Sequence, residues 1–582
     1  MQTDYTFRIL VVDLSSGRGE YRRFGDKREL LGGSGLAAGL YGEFCKPDLP
    51  ALDPAQALIF AIGPLTGCYP LMSKVVCAFK SPYNQQYAES HAGGRLALSM
   101  RFAHIDALVV TGRAPTLSCM AVGIRELIIR DTHYLKGMDV FTTGKMLRKV
   151  RTSGAGHRSI IRIGPAGENL SAYACINVDS YRHFGRLGAG AVMGSKNIKA
   201  IMVEGGSSMP APEGKVYPEL NKEIYTQLTS TDMMKKYHDL GTPVNMAVMN
   251  RLHALPWRNL QTTFDDENID KISGETFAQE LLLRRTACTG CPVGCIHVGL
   301  LREFFFKGDS DVLYRQVSYD HEPVFAAGSM LGMTKAPDVL AVLDELERQG
   351  LDAISGGVAL AWATEALEKG AITQEETMVP LAFGDAKAYR EALVHLGTPP
   401  NEFYRLLAQG TLVAAKHYKA EDYACVLGQE MAGYATGETY FVSQSLGLRH
   451  SHLDSAGYTY DQKSQDKDVA KAVAFMVEDE RQRCGLTSMV SCLFARGVYS
   501  EELLGKALDA MGYGEVAAAL PAASQNVQKL RWRTKFASGY DPDQVKIPKR
   551  YREVVTWKGP IDPVYLDALK QGYAAEIRKM GQ

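Results

Sequence analysis

The chain has 582 residues, material for more than one domain, and its 46% hydrophobic and 22% charged residues are ordinary globular usage that excludes wholesale disorder. Its 65 basic and 65 acidic side chains cancel, which removes the broad cationic field that nucleic-acid binding needs. Asp4, Arg8 and Asp13 interrupt the first fourteen residues and no charge-free run of membrane-spanning length follows; eleven cysteines, an odd number too sparse for a disulfide scaffold, point to a reducing, cytoplasmic setting.

Up to about residue 206, short apolar, β-branched runs alternate with glycine turns. The strands expected are Ile9–Leu14, Ala57–Ile62, Lys74–Phe79, Ala107–Thr111, Ser159–Ile163 and Ala200–Val203. Gly205–Gly214 (GGSSMPAPEG) reads as a linker, after which helical periodicity takes over. Asp338–Gln349 puts Val339, Val342, Leu343 and Leu346 on one face, and Gly350 stands where a helix takes a left-handed stop. Leu351–Gly357 (LDAISGG) reads as a loop entering a second helix, Val358–Lys369, closed by Gly370. Helical patterns also suit Lys387–Leu396 and Val469–Val477.

The first region contains an internal echo. Ile62-Gly63-Pro64 recurs as Ile163-Gly164-Pro165, and Gly94-Arg95-Leu96 as Gly185-Arg186-Leu187. Each copy then runs through a helix-like segment into a strand ending at Gly112 or Gly205. Three elements recurring in one order suggest a structural duplication that builds two similar ligand-binding halves.

Cys288-Thr-Gly-Cys291-Pro-Val-Gly-Cys295 spaces three thiols as C-x2-C-x3-C in a glycine- and proline-containing loop, which suits an iron–sulfur cluster. Zinc is the competing occupant, with His297 the nearest fourth donor by sequence. A cluster would need its fourth ligand from afar, with Cys484 and Cys492 the candidate sources. Ala92-Gly93-Gly94-Arg95 and Gly185-Arg186-Leu-Gly-Ala-Gly190 precede helices where close backbone approach favours anions, and Lys74, Arg95, Arg182 and Arg186 add charge; glycine for tight packing is the plainer explanation of each. Asp320-His321-Glu322-Pro323 and Arg449-His450-Ser-His452-Leu-Asp454 concentrate ionisable groups suited to acid–base work, while Glu391 and His395 read as a surface helix pair.

With these residues in view, nearly the whole chain resembles the aldehyde ferredoxin oxidoreductase family. The most specific matches are Ile163-Gly-Pro-Ala-Gly-Glu-Asn169, the run from Arg182 through Gly-Ala-Val-Met-Gly-Ser-Lys-Asn197, the cysteine trio, and Leu-Asp352-Ala-Ile-Ser355. The resemblance implies an α+β fold: an N-terminal domain of two pseudo-symmetric β-sheets (1–206), then two mainly α-helical domains (215–417 and 418–582). It implies a tungsten or molybdenum bis-molybdopterin, a magnesium ion bridging the pterin phosphates, and one 4Fe-4S cluster on Cys288, Cys291, Cys295 and Cys492. Lys74, Arg95, Arg182, Arg186 and the glycines Gly93 and Gly94 would serve the pterins. His91 and His183 would offer backbone carbonyls to the magnesium, Asp352 and Thr487 would fall at the two pterins, and Glu322 and His450 would be the acid–base pair.

Three departures accompany the match. Thr487 replaces an aspartate, Lys74 replaces an arginine and loses its bidentate fork, and Glu430–Gly447 differs from the family's usual run. The implied activity is oxidation of an aldehyde to a carboxylic acid, with electrons leaving to ferredoxin or a ferredoxin-like subunit of an oligomeric or multi-subunit complex. An aromatic acyl-thioester reductase subunit and a non-catalytic cluster-binding electron-transfer subunit are the alternatives.

Overall fold

The structure, a computed structural model, describes residues 5–25, 27–150, 157–209, 212, 214–304 and 312–582. Twelve strands of the N-terminal region form two six-stranded sheets. The first contains β1 (Phe7–Asp13), β2 (Arg18–Phe24), β3 (Leu58–Ala61), β4 (Val75–Lys80), β5 (Tyr87–Ala92) and β6 (Ala107–Thr111) in the order β2-β1-β6-β3-β4-β5. The second contains β7 (Ser118–Gly123), β8 (Glu126–Asp131), β9 (His157–Arg162), β10 (Ile176–Val178), β11 (Arg182–Phe184) and β12 (Ile198–Gly205) in the equivalent order β8-β7-β12-β9-β10-β11. In both sheets the first strand pairs parallel with the sixth, and every other neighbour is antiparallel. Helix Gly33–Phe44 precedes β3 as helix Val140–Val150 precedes β9, and helices Leu96–Phe102 and Ala189–Ser195 lead into β6 and β12. The duplication suggested by the short echoes is therefore complete in topology.

Side-chain alternation explains how the sheets are buried. Leu58 and Phe60 of β3 point into a core shared with Ile161, Val178 and Phe184 of the second sheet, and the Phe60 and Phe184 rings lie 5.4 Å apart. Ile59 and Ala61 point the other way, into the larger core formed with the helices. The far face of the second sheet carries Ile160, Ala200 and Met202 against Leu147 of helix Val140–Val150. Full burial of each large apolar side chain contributes about 1.5–3 kcal/mol.

The remainder is mostly helical, with two additions to the sequence expectation: an antiparallel sheet of Leu282–Thr286, Ile296–Phe304 and Val312–Tyr319, and a two-stranded antiparallel pair, Val555–Thr556 with Gly559–Pro560. Helix Ala336–Gln349 ends at Gly350 in the left-handed conformation, as expected (φ 71°). The next helix, Ala353–Glu368, begins five residues before its expected start, because Asp352 caps it by accepting from the Ile354 and Ser355 amides. Gly356 and Gly357 are interior: a Cβ on Gly357 would stand 2.3 Å from the Ala326 carbonyl oxygen, so these glycines bring two segments together and do not mark a loop. Part of the Gly205–Gly214 linker lies outside the described residues. No described helix is long and apolar enough to cross a membrane.

Candidate functional site

Edge strands β5 and β11 lie side by side, and the helical region closes over them to leave a cavity of about 610 Å³. Cys288, Cys291, Cys295 and Cys492 all line it. Gly290 and Gly294 take left-handed conformations (φ 71° and 65°), which lets the loop reverse within a few residues. The Thr289 amide donates to Gly94 O (3.1 Å), Leu71 N–H to Gly290 O (3.2 Å) and Cys492 N–H to Leu71 O (3.0 Å), so Leu71 ties the distant cysteine to the trio. A Cβ on Gly93 would stand 2.4 Å from Cys288 Sγ, which fixes glycine at the end of β5. Burial, then the charge of Cys492, pushes the Cys291 thiol up to about 11. Burial likewise pushes Cys295 up to about 12. Four soft donors whose thiolates need a cationic partner fit a metal centre. Among the described residues, no three His, Cys, Asp or Glu side chains close on the spacing of a single ion, so the thiols line a wall.

A second wall is built for anions and polar rings. Arg186 donates to Asp352 (Nε–Oδ2 3.1 Å) and to the Glu430 carbonyl (2.7 Å), and Arg182 to Asp320 (3.1 Å). Arg182 Nε, Arg186 Nη1 and Arg483 Nη2 are nevertheless buried without a partner among the described residues, leaving donors for a bound group. His91 and His183 also line the cavity, each backed by a carboxylate: His91 Nε2 lies 2.9 Å from Glu89, and His183 Nε2 2.8 Å from Glu347. Burial, then the charge of Arg449, lowers His91 to about 4.

The third element is Glu322, on helix His321–Ala327. Tyr434 Oη donates to its Oε1 (2.8 Å), and His452 Nε2 lies 3.1 Å from the same oxygen. Burial opposes its charge, but the His452 hydrogen bond and charge prevail and hold Glu322 down at about 2. His452 Nδ1 is buried without a partner. Two ring stacks line this end, Tyr434 on Tyr458 (centroids 4.9 Å) and Tyr237 on Phe494 (4.3 Å).

Residues 9–205 match the family model of the aldehyde ferredoxin oxidoreductase N-terminal domain, and residues 219–576 that of its domains 2 and 3. The chain belongs to the aldehyde ferredoxin oxidoreductase family. It is 33% identical to the tungsten-containing aldehyde ferredoxin oxidoreductase of Pyrococcus furiosus over 66% of this chain and 61% of that protein, so the chain spans about three fifths of that relative's length. It is 28% identical to the WOR-like subunit of an aliphatic sulfonate oxidoreductase from the same organism, over 83% of this chain and 76% of that one. In fold it is similar to a chain of the BamBC active-site complex of benzoyl coenzyme A reductase, solved with 1,5-dienoyl-CoA (TM-score 0.80, 20% identity, 98% of this chain and 94% of that chain).

Not every residue singled out in the sequence of this family member reaches the cavity. His450 is buried beneath it, with Nε2 on Lys535 Nζ (3.0 Å), and His452 stands beside Glu322 in its place. His450 has a left-handed backbone (φ 51°), which sends its ring down while His452 goes up. Arg95 pairs with Asp179 through its backbone amide (3.1 Å) and is largely exposed. Thr487 is buried against Gly33, its hydroxyl donating to the Cys484 carbonyl (3.4 Å). Cys484 sits in a separate buried group, accepting from Arg531 (3.0 Å), and His297 turns to the His238 carbonyl (3.0 Å). Sequence reasoning missed Glu89, Glu347 and Tyr458 as site residues, and it flagged Tyr434 only as part of the divergent segment Glu430–Gly447. The three missed residues sit in unremarkable local runs and acquire meaning only through partners far along the chain.

Proposed function

We propose that the chain is a tungsten bis-pterin oxidoreductase that oxidises an aldehyde to a carboxylic acid and sends two electrons, one at a time, to ferredoxin or a ferredoxin-like subunit. Family membership and the tungsten-containing relatives support the chemistry, and the relative named as a subunit supports assembly into a larger complex. The observation that carries this reading is the convergence on one cavity of four thiols, arginines with unpaired buried nitrogens, and a Glu–His–Tyr cluster. When bound, the metal–pterin group supplies the two-electron step and a 4Fe-4S cluster the one-electron exit.

The chain's own residues do the rest. Residues 1–206 form the cradle, 215–417 carry the cysteine trio and 418–582 the fourth cysteine, Cys492. Lys74, Arg182 and Arg186 hold anionic parts of the pterins and Asp352 the organic end of one. The backbone carbonyls of His91 and His183, on neighbouring edge strands, would serve a magnesium ion. Conversion of RCHO and water to RCOOH releases two protons and two electrons. Glu322, ionised at neutral pH, takes a proton from the attacking water, Tyr434 orients its carboxylate, and His452 offers Nδ1 to the substrate oxygen. The acid–base role expected of His450 thus passes to His452.

The stacked Tyr237–Phe494 and Tyr434–Tyr458 pairs favour a second reading, reduction of an aromatic acyl thioester, because they put aromatic rings in the lining of the cavity. Metal analysis with aldehyde-dependent viologen reduction tests both. Tungsten with turnover supports aldehyde oxidation; tungsten with conversion only of an aromatic thioester supports the second reading; iron without tungsten defeats both.

A further inference from the structure

Lys535, on helix Gly514–Ala537, has no exposed surface and no carboxylate in contact with it among the described residues. Its ammonium donates to the carbonyls of Leu448 (2.5 Å) and Gly447 (3.5 Å), lies 3.0 Å from His450 Nε2, and stands 4.5 Å from the centre of the Tyr540 ring. Burying a lysine this way is costly, and these polar contacts of its ammonium are all to one short loop or to the Tyr540 ring.

That loop carries Arg449, Ser451 and His452 into the cavity. His450 is its keel. Nε2 accepts from Lys535, so Nδ1 carries the proton and donates to Ser445 O (2.9 Å), fixing one tautomer. The imidazole rests on Gly428, where a Cβ would stand 2.0 Å from Nδ1. Gln429 Nε2 donates to the carbonyls of Arg449 and His450 (2.8 Å each), and Asp454 accepts from Arg449 Nε (2.6 Å).

We propose that Lys535 and His450 are positioning residues: acting through the loop 447–452, they set the His452 imidazole against Glu322. Neither touches the cavity. With the loop pinned from below, His452 keeps Nε2 on the carboxylate and Nδ1 available; without the pin, the loop settles and the pair separates. Titratable and charged groups facing Lys535 are Asp454, Glu480 and Arg531 in addition to His450, and burial, the largest influence, brings the lysine down to about 7. This inference rests on the proposed roles of Glu322 and His452, but its first test does not use the reaction.

The holoenzyme is compared with K535M and H450Q by hydrogen–deuterium exchange of the peptide spanning 447–454 and by thermal melting. K535M should raise exchange in this peptide at least tenfold while peptides of β3 and β4 exchange as in the wild type. H450Q, whose amide can still accept from Lys535, should keep most of the protection. K535M with wild-type protection overturns the proposal, as does equal loosening throughout the chain. In aldehyde-dependent turnover, K535M should lower kcat at least tenfold with KM within threefold; a rise in KM alone overturns it. Loosening of the loop in a protein without aldehyde activity would instead reject the proposed reaction and leave the clamp standing.

Discussion

The two N-terminal halves share one topology and differ in what the helical region lays on them. In the first half, the loop after β5 meets the cysteine loop, and the carboxylate behind His91 comes from the same strand, Glu89, held by Arg531 (2.5 Å). In the second half, the equivalent loop meets Asp352 at a helix N-terminus, and the carboxylate behind His183 is Glu347, from helix Ala336–Gln349. A duplicated scaffold thus provides two similar cradles, and the asymmetric helical layer gives one of them thiols and the other a carboxylate. Substitutions in that layer should remove chemistry while both halves stay folded; substitutions at the packing positions of the scaffold should first lower stability.

The largest effect expected is from Glu322→Gln, which should lower turnover about 100- to 10,000-fold with iron content unchanged. It should also alter acid stability. The Glu322 pKa is depressed on folding, so its contribution is present above the ordinary glutamate value of 4.5 and is lost as pH falls toward about 2. The melting temperature of Glu322→Gln should therefore fall less steeply over that window than that of the wild type.

Asp352 and Thr487 sharpen the contrast between the halves. Asp352 makes a charge-assisted bond to Arg186, a kind of bond worth about 1.5–3 kcal/mol, whereas the Thr487 hydroxyl serves its own helix. Asp352→Asn should lower cofactor occupancy measurably, and Thr487→Val should leave it within error. Equal losses would mean that Thr487 reaches a cofactor after all. The smallest effect concerns the scaffold. Gly94 has φ 99°, whereas the nearest atom to a Cβ on its counterpart Gly185 is 4.0 Å away. Gly94→Ala should cost about 1–2 kcal/mol in denaturant unfolding, and Gly185→Ala less than about 0.5 kcal/mol.

Much of the scaffold was legible because it rests on local rules. The Gly-Pro and Gly-Arg-Leu echoes mark equivalent corners of the two sheets, and Gly350 ends its helix where periodicity stops. Strands such as β2, with the exposed run Arg18–Phe24, escaped notice because an edge strand needs no apolar pattern. Gly356 and Gly357 misled because glycine serves helix contact as well as turns. Of the site, the cysteine spacing was legible and the four cysteines line one cavity, but His450 and His452 stand two residues apart in one polar run and nothing local foretells the left-handed backbone at His450. Lys535 left no sequence signal at all, since its partners are backbone carbonyls and a residue 85 positions away.

The central claim is that the cavity between β5 and β11 holds a metal–pterin group beside a cluster on the four lining cysteines. Metal and pterin content of the anaerobically purified protein, with the electron paramagnetic resonance spectrum of its reduced form, tests this most directly. The account predicts tungsten with pterin, about four iron atoms per chain, a reduced-cluster signal, and loss of iron in Cys492→Ala but not in Cys484→Ala. Zinc without iron or tungsten, or iron retained in Cys492→Ala and lost in Cys484→Ala, would contradict it.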